Sequence, residues 1–194
     1  MTVTTPPVTM RERVIGAAVD LTTEVGWAQV TMARLADVVG VSRQTVYNEV
    51  GSKPLLAEAM ILRELERFLA LVTVAFDAHP TDLLAAIRDA SRAVLEASQN
   101  NLLLKAIVSA THGADTELLP LLTTHAGALL STAKAVVVER VAPYDVGLSP
   151  AQLDAAIDMV VRVVLSHVMQ PSASPARTAD DIAWISARVL RLSD

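Results

Sequence analysis

The chain contains no cysteine among its 194 residues, and only 3% of its residues are aromatic. Without cysteine there is no disulfide framework, the usual support of a small secreted domain. The hydrophobic content of 52% is therefore almost entirely aliphatic. Such a composition favours helices over a β-sandwich or barrel. At this length and apolar content we expect one or two packed, all-α domains rather than a disordered chain.

Long hydrophobic runs are also missing. The longest stretch without a charged residue, 118–133, has 16 residues and includes a proline and a histidine. A membrane-spanning helix needs about 20 mostly apolar residues, and the first ten residues lack the apolar stretch of a signal peptide. We therefore expect a cytoplasmic protein with no membrane partner, beginning with a flexible arm at 1–9.

Apolar residues recur at helical spacing along nearly the whole chain. The spacing from Val14 to Val25 predicts a first helix that ends at Gly26. Thr31 and Ser42 are expected N-caps of two further short helices, because a side-chain oxygen there can accept from the first free amides. A fourth helix of roughly 25 residues should follow Ser52. Its predicted buried seam is Leu55, Ala59, Leu62, Leu65, Leu69, Val72 and Phe76.

The C-terminal part is predicted to be helical as well. Thr81 should restart a helix, and residues 149–152 form a capping box with Pro150 at the first helical position. Thr178 is the expected cap of the last helix. These patterns predict about nine helices in all, in which the long fourth helix joins an N-terminal part of three short helices at 10–52 to a helical C-terminal part at 53–194.

Residues 31–53 carry the most specific pattern in the sequence. A helix-turn-helix needs a small residue at the helix crossing, a turn residue that tolerates positive φ, and an apolar residue on the second helix. Ala36, Gly40 and Val46 have that spacing. The side chains then left facing outward are Arg43, Gln44, Thr45, Tyr47 and Asn48. Gln and Asn can bond adenine edges, Arg guanine, and Thr, Tyr and Lys phosphate oxygens. The competing interpretation is an ordinary helical pair with a solvated surface.

At these positions the sequence resembles the TetR family of bacterial transcriptional regulators. The resemblance covers residues 10–60 and rests on a Thr-capped helix, a Gly40-Val41-Ser42 turn, Tyr47, and Ser52-Lys53 at the fourth helix. It implies that double-stranded DNA is contacted by Thr31, Ser42, Arg43, Gln44, Thr45, Tyr47, Asn48 and Lys53. Two residues depart from the family pattern. Val50 replaces an aromatic residue, and Glu49 places an acid near phosphates.

Charge is distributed unevenly along the chain. The formal net charge is −5, yet the five basic side chains up to Lys53 are balanced by five acidic ones. The whole excess therefore lies in the C-terminal part. A neutral DNA-reading domain favours localised contact over general coating of DNA, and two such domains on one palindromic operator would compensate for weak single contacts.

The resemblance further implies a homodimer formed by the last two helices and a ligand that moves the fourth helix. It makes 10–52 the expected helix-turn-helix DNA-binding domain and 53–194 the expected ligand-binding and dimerisation domain. The helix predicted from 149 to 169 is apolar on two faces, so one face can meet the protein's own core and the other a partner. We assign the dimer interface to Leu153, Ile157, Val160, Val164, Ile185 and Val189.

A small-molecule pocket is suggested by polar residues scattered through an apolar body. The expected polar contacts are Asn101, Thr124, His125 and Arg162. For His125, burial in the core or in the dimer interface is an equal alternative. The scarcity of aromatics favours an aliphatic or acyl ligand over a flat cation, which usually needs ring partners.

No catalytic motif is evident. The four histidines lack metal-ligand spacing, and neither a nucleophile elbow nor a phosphate-binding or dinucleotide loop is present. We therefore expect no metal, no cofactor and no enzymatic activity. The sequence predicts a ligand-responsive transcriptional repressor. The alternatives are a helical small-molecule-binding or lipid-binding protein whose helix-turn-helix no longer binds DNA and, third, an enzyme with an apolar pocket.

Overall fold

The computed structural model describes residues 8–105 and 126–190. Within these ranges every regular element is helical, which confirms the predicted all-α class. The α-helices are α1 (Met10–Val25), α2 (Met32–Val39), α3 (Arg43–Val50), α4 (Lys53–Ala78), α5 (Leu83–Gln99), α6 (Ala126–Val141), α7 (Pro150–Met169) and α8 (Pro175–Leu190), with a 3-10 turn at Trp27–Gln29 between α1 and α2. In the described ranges, none of these helices is long and apolar enough to cross a bilayer.

The chain folds into two compact units. Among the described residues, the first unit comprises 8–63 and 102–105, and the second comprises 64–101 and 126–190. Helix α4 has 26 residues and is about 39 Å long at 1.5 Å per residue. It contributes its first turns to one unit and its later turns to the other.

The core of the first unit contains Ala36 and Val46, two of the residues predicted to form a helix-turn-helix. Val14 and Ala18 of α1, Leu35 and Ala36 of α2, and Val46 of α3 are buried together. Trp27 of the 3-10 turn and Leu56 of α4 complete the same core. Because the apolar side chains of three short helices pack in one shared core, none of these helices needs to be stable in isolation.

Local signals set the ends of these helices. The Thr9 side chain accepts from the Glu12 amide, and the Glu12 carboxylate accepts from the Thr9 amide. The hydrogen bond from the Thr9 amide lowers the pKa of Glu12. Thr31 and Ser42 cap α2 and α3 as predicted, accepting from the amides of Arg34 and Thr45. Gly40 ends α2 in the left-handed region, with φ +77°.

Replacing Gly40 by alanine should destabilise the first unit by about 1 kcal/mol. An added Cβ at Gly40 would meet no atom within 4 Å, so the cost comes from the left-handed backbone alone. Gly127 of α6 is the matched control: a Cβ also meets nothing there, and its φ is not positive. Gly127→Ala should leave stability unchanged or slightly higher. Urea unfolding of both variants checks this, and equal stability of Gly40→Ala and wild type would contradict the strained turn.

The second unit packs α5, α6, α7 and α8 with the later turns of α4. Its core includes Val72 and Phe76 of α4 and Ala86, Ala90 and Val94 of α5. The Tyr144 hydroxyl, beyond α6, donates to the His79 carbonyl at 2.7 Å, and burial raises its pKa. This bond ties the α6–α7 connection to the end of α4.

Three predicted details of the helices were wrong. Helix α8 begins at Pro175, one turn before Thr178, so that Thr178 is buried within the helix. At the start of α8 the Ser174 hydroxyl accepts from the Arg177 amide. Asp82 caps α5 instead of Thr81. In both cases the side-chain oxygen that caps the helix belongs to a residue slightly earlier or later in the chain than the one predicted.

The third error concerns the start of the α4 seam. Leu56, Ala59 and Met60 are buried, whereas Leu55 and Leu62 are exposed. The Leu55 side chain instead lies against the turn at Gly51. The first turns of α4 pack into the core of the first unit, and its later turns pack into the core of the second. A single buried seam drawn along the whole helix therefore predicts the wrong buried residues in the first turns.

Candidate nucleic-acid interface

The turn between α2 and α3 sets the direction of α3. The amides of Gly40 and Val41 both donate to the Ala36 carbonyl, at 2.9 and 3.0 Å. Ser42 then starts α3 in extended conformation. Val46 and Val50 anchor α3 in the core of the first unit, so its other face is turned to solvent.

The solvent face of α3 is a row of hydrogen-bonding side chains. Arg43, Gln44, Tyr47 and Asn48 are exposed, and Thr45 is half-buried with its hydroxyl 2.9 Å from that of Ser42. The Gln44 amide nitrogen donates to the Asn48 side-chain oxygen at 2.9 Å. This i,i+4 pair holds two amides side by side on one helix. Amides presented in this way match the donor and acceptor pattern of adenine in the major groove.

Two arginines of α1, not identified from the sequence, hold the helix-turn-helix in place. The Arg11 guanidinium donates to the Glu49 carbonyl in the last turn of α3, and Arg13 donates to the Val39 carbonyl of α2 at 3.1 Å. Cations at helix C-termini satisfy free carbonyls and oppose the helix dipole. Their partners lie 38 and 26 residues away, so no local sequence pattern could have revealed them.

Lys53, at the first position of α4, lies over a buried indole. Its ammonium is 4.9 Å from the ring centroid of Trp27, which is 4% exposed. A cation over an aromatic face is attracted by the ring quadrupole. The indole therefore restricts where the ammonium can be, next to the start of a helix that follows α3 directly.

Lys53→Ala should lower DNA affinity to a similar extent on every sequence. Losing one phosphate contact reduces the slope of log affinity against log salt by about 1. Lys53→Arg keeps the charge and should keep the slope. Fluorescence anisotropy over a range of salt concentrations measures both. An unchanged slope in Lys53→Ala, with the domain still folded by circular dichroism, would exclude the phosphate contact.

The second unit contains two apolar cavities. The larger, about 550 Å³, lies among α5, α6, α7 and α8. The smaller, about 90 Å³, lies between α4, α5, α6 and α7 and is lined by residues that include Phe68, Val72, Phe76, Ser91, Ala133 and Val164. Ile87, Val137 and Val160 border both cavities. Apolar pockets of about 300 to 1,000 Å³ commonly hold small organic ligands, and the larger cavity is within that range.

The structure brings neither described member of the predicted pocket to these cavities. Asn101 is half-buried and donates to the Glu64 carboxylate at 2.5 Å. Arg162 is exposed and pairs with Asp158 at 2.7 Å, and this hydrogen bond lowers the pKa of Asp158. Thr124 and His125 lie outside the described residues. The two described side chains are engaged in polar contacts elsewhere, and the cavity walls are aliphatic.

The residues predicted for a dimer interface fall into two groups. Ile157 is 5% exposed inside the core of the second unit, and Leu153, Val160 and Val164 are half-buried against that unit. This face of α7 is thus occupied by the protein's own helices. Ile185 and Val189 of α8 are exposed. The other face of α7 contributes two more exposed apolar side chains, Met159 and Val163.

The described part of the chain shows no cluster of potential metal ligands. Among its histidine, aspartate and glutamate side chains, no group of three lies close enough to hold an ion. His79, for example, pairs with Asp89 at 2.7 Å.

The fold and the exposed face of α3 define a helix-turn-helix DNA-binding protein. Family models agree: residues 14–60 match "Bacterial regulatory proteins, tetR family" and residues 82–188 match "Bacterial Tetracyclin repressor, C-terminal domain". The chain belongs to the TetR family of bacterial transcriptional regulators.

Relatives cover nearly the whole chain. The HTH-type transcriptional regulator AlkX of Mycobacterium tuberculosis is 30% identical over 178 residues, which are 90% of this chain and 82% of that protein. The crystal structure of the TetR family repressor AlkX from a Dietzia species, implicated in biodegradation of n-alkanes, is 27% identical with a TM-score of 0.75 and coverage of 94% and 96%. The fatty acid degradation regulator FadR from Bacillus halodurans, 15% identical with a TM-score of 0.55 and coverage of 94% and 99%, shares the fold.

Proposed function

We propose that this protein is a repressor that binds a palindromic operator as a homodimer and leaves it when an aliphatic effector binds. The observation that carries the proposal is the solvent face of α3, where the paired amides of Gln44 and Asn48 lie beside Arg43 and Tyr47 on a helix anchored by Val46. Side chains of this kind on the second helix of a helix-turn-helix read base edges in the major groove. Acting on chromosomal DNA, the protein would be cytoplasmic.

The proposed DNA contacts divide by chemistry. Gln44, Asn48 and Arg43 are assigned to base edges, because their planar groups can form two hydrogen bonds at once. The remaining contacts are assigned to the phosphate backbone: Thr31, Ser42, Thr45, Tyr47 and Lys53. Thr31 and Ser42 also cap their helices, so their hydroxyls lie beside free amides that attract phosphate.

A homodimer is supported by exposed apolar side chains on the last two helices. Met159 and Val163 of α7, with Ile185 and Val189 of α8, are between 37% and 62% exposed. Aliphatic side chains grouped on adjacent helices commonly mark an interface. We place the interface on this face, because the opposite face of α7, with Ile157, is already buried. A two-fold dimer would present two copies of α3 to a palindrome.

An aliphatic effector is supported by the walls of the two cavities. Among the described lining residues, leucine, isoleucine, valine and alanine dominate both, and the aromatic rings are those of Phe68 and Phe76 at the smaller one. The Dietzia repressor with the same fold is implicated in n-alkane biodegradation, which fits such walls. Helix α4 offers a path to DNA. It lines the smaller cavity through Val72 and Phe76, and the same continuous helix supplies Leu56 to the core around α3.

One feature favours a second function, a helical ligand-binding protein that no longer binds DNA. Glu49 is half-buried in the last turn of α3, where a negative charge would repel phosphate. Arg11, bonded to the Glu49 carbonyl, supplies a positive charge at the same helix end. We therefore favour the DNA-binding function.

The repressor function is tested on a DNA fragment that the purified protein selects from genomic DNA. Saturated fatty acids and 1-alkanols of increasing length are titrated into the complex, and anisotropy follows release. Coupling of about 1 to 3 kcal/mol would weaken DNA binding five- to 150-fold. Planar aromatic cations of similar size are the control series. Release by the cations and not by the aliphatic compounds would reject the proposed effector class.

A further inference from the structure

A buried serine lies in the wall of the larger cavity. Ser186 of α8 is 3% exposed, and its Oγ has no hydrogen-bond partner among the described residues. A buried hydroxyl normally has a partner, because leaving it unsatisfied costs free energy. The other polar residue among the described lining, Gln152, is exposed to solvent, and its side-chain oxygen accepts from the Ser149 amide in the cap of α7. Ser186 thus supplies an unused polar group to an aliphatic cavity.

None of the described side chains that line this cavity carries a charge. A carboxylate bound there would lose its hydration without gaining a cation, which is far more costly than burying a neutral hydroxyl that is hydrogen-bonded. The wall therefore selects against fatty acid anions. It is suited to an alkyl chain whose polar end is small and neutral.

We propose that the larger cavity is a binding site for a neutral aliphatic molecule with a single terminal oxygen, of the 1-alkanol class, whose oxygen bonds to Ser186 Oγ. The hydroxyl group of an alkanol can either donate to Ser186 Oγ or accept from it, so it can supply the hydrogen bond that this serine lacks among the described residues. The chain would lie against the aliphatic side chains of α5, α6 and α7. This site is distinct from the polar residues that the sequence suggested, and it assigns a ligand to the proposed effector function, on which its regulatory role rests.

The cavity adjoins the proposed dimer interface, so a ligand bound in it would affect the contact between the two subunits. Met159, Ile185 and Val189 border the cavity, and all three are exposed. They also belong to the proposed dimer interface. A ligand beneath these residues would be covered by the second subunit, which would exclude water from the Ser186 hydrogen bond and strengthen it.

Calorimetric titration of the full-length protein with 1-octanol and with octanoate at pH 7.5 tests the site. We expect 1-octanol to bind at least tenfold more tightly than octanoate, and affinity to rise about fourfold for each added methylene up to the length of the cavity. Ser186→Ala should weaken 1-octanol binding about two- to tenfold. The same variant should melt a few degrees higher than wild type without ligand, because an unsatisfied buried hydroxyl is removed.

Ser91→Ala is the matched control, since Ser91 is also buried but lines the smaller cavity. It should leave 1-octanol binding unchanged. The proposal is overturned if octanoate binds as well as 1-octanol, if Ser91→Ala rather than Ser186→Ala weakens binding, or if neither compound binds because the second subunit fills the groove. Binding of 1-octanol through Ser186 without release of DNA would keep the site and reject its role as the effector site.

Discussion

Replacing both Gln44 and Asn48 by alanine is expected to weaken sequence discrimination strongly while leaving the first unit folded. Each bidentate contact with a base contributes about 1 to 3 kcal/mol of discrimination, so losing both should lower operator affinity at least 30-fold. Both side chains are exposed and bonded only to each other among the described residues. Alanine is also a better helix former than either residue.

Anisotropy on the operator and on a scrambled duplex, at one salt concentration, separates the two effects. The variant should bind the scrambled duplex as wild type does, because the phosphate contacts remain, and the operator at least 30-fold more weakly than wild type does. Gln99→Ala, an exposed amide at the end of α5, is the control and should behave as wild type. A double variant that prefers the operator as strongly as wild type would show that other residues read the bases.

The second large effect is expected from Ile185→Asp on α8. A charge in the centre of an apolar interface remains unpaired and desolvated in the dimer, so the variant should be monomeric in sedimentation. Two linked DNA-reading domains gain affinity through effective concentration, and their separation should lower operator affinity about 100-fold or more. Ile185 is 51% exposed in the protomer, so the substitution should not disturb the protomer's own core.

Ala176→Asp introduces the same charge in the first turn of α8, away from the apolar face, and should remain dimeric. Aspartate is even favourable near a helix N-terminus. Val160 and Val164 are poorer positions for this test, because both are half-buried and line the smaller cavity. A dimeric Ile185→Asp variant with unchanged operator affinity would place the interface on another surface.

The DNA-reading unit could be predicted from the sequence because its signals are local. Thr31, Gly40 and Ser42 act on amides or carbonyls within a few residues of themselves, so their roles follow from residue type and spacing. The contact of Lys53 with Trp27 and the hydrogen bond from Arg13 to Val39 join distant parts of the chain. Only the tertiary structure brings these pairs together.

The second unit was harder to predict because its helices are apolar on more than one face. Periodicity identified α7 and its capping box at Ser149, yet it could not decide which face meets the protein's own core. The structure places Ile157 inside and leaves Met159 outside. The cavity residues were missed for a related reason. A ligand pocket was expected to be marked by polar side chains, whereas the described walls are mainly aliphatic and include Ser186, a buried serine whose hydroxyl has no partner among the described residues.

We propose that this protein reads a palindromic DNA sequence as a dimer. The most direct test is selection of fragments from the genomic DNA of the source organism by the purified full-length protein, followed by sequencing. We expect one enriched motif with two inverted half-sites about one helical turn apart, and much weaker enrichment of it by the Gln44→Ala, Asn48→Ala variant. Recovery of fragments with no shared motif, equally by wild type and variant, would contradict it.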